Sequence, residues 1–126
     1  MRAGTVIRGL VGGEADRVYP DRFTPRPLQV LSHTSYSCRG DATSSQSVYY
    51  TVPSGAGVFT AGTLRWGCAL VDLCDRRLGP DTRDFARRVT ENLFRVFVQG
   101  PVGLRHPARD NLGDFDLPLV NSVDAS

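Results

Sequence analysis

The chain has 126 residues, 40% of them apolar, with 15 basic and 13 acidic side chains and a net charge of +2. That length accommodates one domain, and no apolar run approaches the roughly 20 residues needed to span a bilayer. All the basic residues are arginines, scattered rather than clustered and without interleaved aromatics, so neither nucleic acid nor a membrane is expected as a partner.

Read in chain order, the β-branched and apolar residues 5–11 predict a strand that ends at Gly12-Gly13. Residues 19–27 hold three prolines and several charges and read as loop. A second short strand is expected over 28–33. Residues 35–47, rich in Ser, Thr, Gly and Asp, read as an exposed loop. Val48, Tyr50 and Val52 then alternate with Tyr49 and Thr51, a turn follows at 53–57, and Val58 to Ala61 is apolar again. This pattern predicts a β-hairpin.

Thr63 is the expected N-cap of a helix over 64–73, with Leu64, Cys68 and Val71 on its buried face. A second, longer helix is predicted over 82–99. Asp81 would cap it, Phe85, Val89, Leu93, Val96 and Phe97 would form its apolar stripe, and Gly100-Pro101 would end it. Residues 102–111 read as a basic loop, and 113–126 as an acidic, disordered tail. The domain is therefore expected to fill residues 1–112. An open α/β sheet alternates strands with helices. Here the alternation starts late, and the sheet is expected to be unfinished.

The three cysteines, Cys38, Cys68 and Cys74, cannot all pair. With no secretory signal expected at the start, they read as reduced thiols in the cytoplasm. Cys68 reads as an inert buried thiol. A nucleophile on a strand-to-helix elbow needs small residues two positions away, and Cys68 has Trp66 and Leu70 there. The Gly55-x-Gly57 and Gly57-x4-Gly62 spacings lack the third glycine of a dinucleotide loop and the lysine of a P-loop.

Two titratable residues stand out. Glu14 follows paired glycines after the first expected strand, where a carboxylate can bind a hard metal or act as a base. The alternative is that it caps a turn or pairs with Arg17. His33 closes the second expected strand and is suited to proton transfer, the alternative being a hydrogen-bonded structural histidine. His106, in a loop, reads as solvated.

The segment Gly55-Ala56-Gly57-Val58-Phe59-Thr60-Ala61-Gly62-Thr63-Leu64-Arg65-Trp66 resembles the Gly-x-x-Val-Phe-x-Ala-Gly-[Ser/Thr] stretch near the end of the N,N-dimethylformamidase large (beta) subunit-like family. Arg88 to Leu93 resembles its terminal helix, and Gly12-Gly13-Glu14-Ala15-Asp16 fits its Gly-x-Glu-x-Asp element. The resemblance covers about residues 5–110. It implies the C-terminal portion of an open, doubly wound sheet of the class I glutamine amidotransferase-like kind, with a β-hairpin and a long terminal helix. It also implies hydrolysis of a small amide at an iron held by tyrosines and a glutamate. Glu14 is the position that carries over, as a metal ligand. The ligand tyrosines would precede the Gly-x-Glu-x-Asp element, so the chain is expected to be an incomplete segment. The other expectation is a non-catalytic assembly module, pairing its unfinished sheet with a partner chain or with itself.

Overall fold

A computed structural model of the chain describes residues 4–71 and 78–118. It is mixed α/β and divides into two compact units, Met1–Ala15 with Thr63–Gly100, and Asp16–Gly62 with Pro101–Ser126.

The second unit holds an antiparallel sheet of three strands in the order β1-β2-β3: β1 (Leu28–Cys38), β2 (Asp41–Thr51) and β3 (Gly57–Thr60). The β2–β3 hairpin is the one expected from the alternation. The expected loop over 35–47 is instead the end of β1 and the start of β2, paired from Ser32↔Ser47 to Cys38↔Asp41. Arg39 and Gly40 make the connection, with φ of 53° and 94°. Positive φ at both positions is the signature of a two-residue hairpin turn whose twist matches that of the strands. The hydroxyl-rich stretch is held by the backbone ladder, and its buried side chains are bonded. Ser45 Oγ donates to the carbonyl of Gly62 at 2.7 Å, and Gln46 Nε2 donates to Ser44 Oγ at 2.9 Å. Buried polar groups satisfied in this way do not oppose burial.

Leu28, Val30 and Val48 form a core with Leu112 and Leu117, flanked by Val18, Tyr50 and Phe115. The chain returns to this sheet through a short helix α3 (Val102–Arg105) and a 3-10 turn (Leu112–Asp114). Leu117, in the stretch expected to be a disordered tail, is only 7% exposed. Residues 119–126 lie outside the described part. Tyr49 Oη donates to the carbonyl of His106 at 2.8 Å, and burial pushes this phenol up from its ordinary pKa.

β1 is an edge strand, and its first residues are covered by the returning chain. Asn111 N–H donates to the carbonyl of Leu28 at 3.2 Å. Its side-chain amide imitates a strand partner, accepting from Val30 N–H at 2.6 Å and donating to the Val30 carbonyl at 3.0 Å. The neighbouring Asp110 carboxylate accepts from Arg26 Nη2 at 2.7 Å and from the N–H groups of Leu28 and Leu112, each at 3.3 Å. The Arg26 side-chain bond, aided by these backbone donors and the arginine charge, holds Asp110 below the usual carboxylate range against a smaller opposing effect of burial. A lowered folded pKa stabilises above the unfolded value of about 3.9 and is lost as pH falls through the folded value. Asp110→Asn should therefore lower stability near pH 6, with a narrower gap to wild type at about pH 3. Urea denaturation at the two pH values checks this.

The first unit holds α1 (Arg65–Leu70) and α2 (Pro80–Phe97). Residues 5–11 are not a strand. The carbonyls of Arg8, Gly9 and Leu10 accept from distant side chains. Thr82 Oγ1 donates to the Arg8 carbonyl at 2.8 Å, Arg65 Nη1 to Gly9 at 3.2 Å, and Thr63 Oγ1 to Leu10 at 3.2 Å. Leu10 enters a core with Ala69, Leu78 and Ala86, against which Ile7, Trp66, Cys68 and Phe85 pack.

α1 is shorter than expected and turns a different face inward. Ala69 is buried, whereas Leu64 and Val71 are 62% and 52% exposed. The cap of α2 is Gly79, with Pro80 opening the helix, rather than Asp81. Proline suits that position because its missing N–H has no helical partner there. Only Thr82 and Ala86 of α2 are fully buried. α2 is followed by α3 and the 3-10 turn, so it is not the last element. Cys68 is disulfide-bonded, not a reduced thiol, while Cys38 is free and exposed. An odd cysteine count prevents three from pairing and still leaves room for one bridge. Among the described residues no helix is long and apolar enough to cross a membrane.

Candidate functional site

In the first unit, the two family-like glycine segments are hydrogen-bonded to each other. Gly12 N–H donates to Thr63 Oγ1 at 3.1 Å, and Leu64 N–H donates to the carbonyl of Glu14 at 2.9 Å. Ala15 and Thr63 form an isolated antiparallel bridge. Thr63 Oγ1 also accepts from Arg65 N–H at 3.3 Å, so one hydroxyl joins the Gly12 backbone to the start of α1. This arrangement explains the residue types: a small hydroxyl at 63, and a backbone at 12–14 able to approach it closely.

Glu14 therefore sits on a fixed bridge rather than at the end of a strand. Its backbone is pinned and its side chain is exposed. Neither a turn-capping bond nor an ion pair with Arg17 engages its carboxylate among the described residues. Arg17 instead donates to Thr43 Oγ1 at 3.4 Å and to Tyr19 Oη at 2.5 Å. Arg65 Nη1 donates to the Gly9 carbonyl. Glu14 is thus a presented hard oxygen donor on a rigid base, able to ligate a metal or accept a proton.

His33 belongs to the second unit. It lies inside β1, opposite Gln46, and not at the end of a strand, because pairing continues to Cys38. Its ring stands 5.7 Å from that of Phe115. Gln46, 2% exposed, is the residue that sequence reasoning missed. Its Oε1 accepts from Val18 N–H at 2.9 Å. A backbone N–H can only donate, so this bond orients the whole amide. Nε2 then faces Ser44 Oγ at 2.9 Å and His33 Nδ1 at 3.0 Å. On the other side of the ring, His33 Nε2 lies 3.3 Å from Ser35 Oγ. Nothing local marks Gln46 as special, since its partners Val18 and His33 lie 28 and 13 residues away in sequence.

Glu14 and His33 thus fall in different compact units. An open depression lined by Arg17, Tyr36, Cys38, Arg39, Asp41, Ala42 and Thr43 includes neither. Among the described residues no group of three or more His, Cys, Asp or Glu side chains is arranged to hold a metal ion. Tyr19, Tyr36, Tyr49 and Tyr50 all lie in the unit that lacks Glu14. Among the described residues, no His, Cys or acidic side chain joins Glu14 in such a metal-holding group.

The family model described as N,N-dimethylformamidase beta subunit-like, C-terminal, matches residues 1–80, and the chain belongs to that family. The match takes in both glycine segments and Glu14, and ends at the first residue of α2. No curated protein and no solved structure matches the chain.

Proposed function

We propose that this chain is a segment of a small-amide hydrolase, incomplete on its own, to which it contributes Glu14. The observation that carries this reading is the family match over residues 1–80, which includes the rigid Glu14 bridge. On this reading the doubly wound amidotransferase-like sheet and the remaining iron ligands belong to another part of the assembly. No catalytic step is assigned through the metal, because a single carboxylate does not define its site.

The test is the assembled enzyme. The chain is co-expressed with the preceding portion of a family large subunit, and iron per complex and dimethylamine release from N,N-dimethylformamide are measured. Glu14→Gln should lower iron content at least tenfold with an unchanged circular dichroism spectrum. Wild-type iron and turnover in Glu14→Gln would remove Glu14 from the site. Failure of the chain to join any complex would overturn the segment reading.

One observation favours a second reading, an assembly module. Along β1, Asn111 covers Leu28 and Val30, while Ser32 to Cys38 contains no proline and no Asp, Glu, Lys or Arg, the usual guards of an edge strand. An antiparallel partner strand fits that edge. Light scattering after size exclusion should then give a mass above 13.8 kDa, returning to the monomer in Thr34→Pro. A wild-type monomer at all concentrations would rule this reading out.

A further inference from the structure

We infer that Gln46 is a positioning residue that holds the His33 ring with its proton on Nε2, so that His33 acts as a hydrogen-bond donor and not as a base toward Ser35. The argument begins at Val18. Its N–H donates to Gln46 Oε1, which leaves Gln46 Nε2, with its two protons, facing Ser44 Oγ and His33 Nδ1. An amide nitrogen donates and does not accept, so His33 Nδ1 must supply a lone pair. In the neutral imidazole the proton then resides on Nε2, directed at Ser35 Oγ. The opposite tautomer would set N–H against N–H beside a side chain that is 2% exposed.

The chemistry follows from the tautomer. In a serine–histidine pair that makes a nucleophile, a partner accepts from Nδ1–H, leaving the Nε2 lone pair to take the hydroxyl proton. Here the Nδ1 partner is a donor, so the polarity is reversed. The His33–Ser35 pair looks like a hydrolytic dyad by distance and is not one by proton inventory. The ring instead presents Nε2–H, which donates to Ser35 Oγ or, in its place, to another oxygen acceptor such as a carbonyl. This inference does not depend on the amide-hydrolase reading.

The test is two-bond proton–nitrogen correlation of the histidine rings at about pH 8, above the ordinary imidazole titration near 6.5. His33→Asn identifies which of the two histidine signals belongs to His33. Wild type should give the Nε2–H pattern with at least a tenfold excess over the alternative. Gln46→Glu, which puts an acceptor opposite Nδ1, should turn the pattern to Nδ1–H. An Nδ1–H pattern in wild type, or an unchanged pattern in a folded Gln46→Glu protein, would overturn the inference. If that variant does not fold, the wild-type pattern decides alone. As a second readout, diisopropyl fluorophosphate should leave Ser35 unlabelled, and stoichiometric labelling there would also overturn it.

Discussion

Gly62→Ala is expected to cost about 3 kcal/mol or more and to lower the melting temperature by roughly 10 °C or more. Gly62 has a φ of 72°, and a Cβ added there would stand 2.1 Å from the backbone oxygen of Gln46. Both partners are held in place. The Gly62 carbonyl accepts from Asp16 N–H at 2.9 Å and from Ser45 Oγ at 2.7 Å, while Gln46 N–H donates to the Asp16 carbonyl at 3.3 Å. Moving either backbone to admit a methyl group breaks bonds around Ser45 and Gln46, which are 3% and 2% exposed. Gly40→Ala is the internal control. Gly40 also has positive φ, 94°, but nothing lies within 4 Å of its added Cβ. It should lose only the left-handed backbone penalty, about 1–2 kcal/mol. Urea denaturation of the two variants separates strain from collision. Equal losses would mean that the Gly62–Gln46 approach is not what fixes glycine at position 62.

The contrast between those two glycines also marks what could be read from sequence. Glycine-rich turns and the Val48-Tyr50-Val52 alternation were legible because hydropathy itself varied with a period of two, and the β2–β3 hairpin followed. The pairing of 32–38 with 41–47 was not, because serine and threonine on both faces give no contrast to read. Only Arg39-Gly40, a two-residue turn, could have signalled it. Residues 5–11 misled in the opposite direction. Their β-branched composition suggested a strand, but a strand needs a neighbour, and the carbonyls of Arg8, Gly9 and Leu10 are taken by Thr82, Arg65 and Thr63. The periodicity of α2 located the helix within two residues, and its cap was misplaced because Asp81 is a good capping type that lies two residues after the actual cap, Gly79. At the candidate site, the glycines drew attention to Glu14. What no local pattern carried was its attachment to Leu64, or the dependence of His33 on Gln46, since both are long-range contacts.

Trp66→Ala is expected to be the most damaging change in the first unit, at about 3–5 kcal/mol. The fully buried side chains of that unit's core are Leu10, Ala69, Leu78 and Ala86. Two of the four are alanines, which bury little area, so the aromatic residues at its margin supply much of the apolar contact. A tryptophan can bury roughly 150–250 Å², worth several kcal/mol at about 25 cal/mol per Å². Trp66 meets Phe85 edge-on, at 6.0 Å and 74°, and its indole Nε1 donates to Thr90 Oγ1 at 3.0 Å. The ring therefore joins α1 to α2 by packing and by one directed bond. Two milder changes divide these contributions. Trp66→Phe keeps an aromatic ring and loses the donor, so it should cost about 1–2 kcal/mol. Thr90→Val removes the acceptor and should cost about 1 kcal/mol in wild type and less in Trp66→Phe, where its partner is already gone. Because Trp66 is the chain's single tryptophan, unfolding of the variants is followed by circular dichroism rather than fluorescence. A loss below about 1 kcal/mol in Trp66→Ala would mean that the disulfide-bonded α1 holds its place on α2 without the ring, and that the thin core of Leu10 and Leu78 is sufficient.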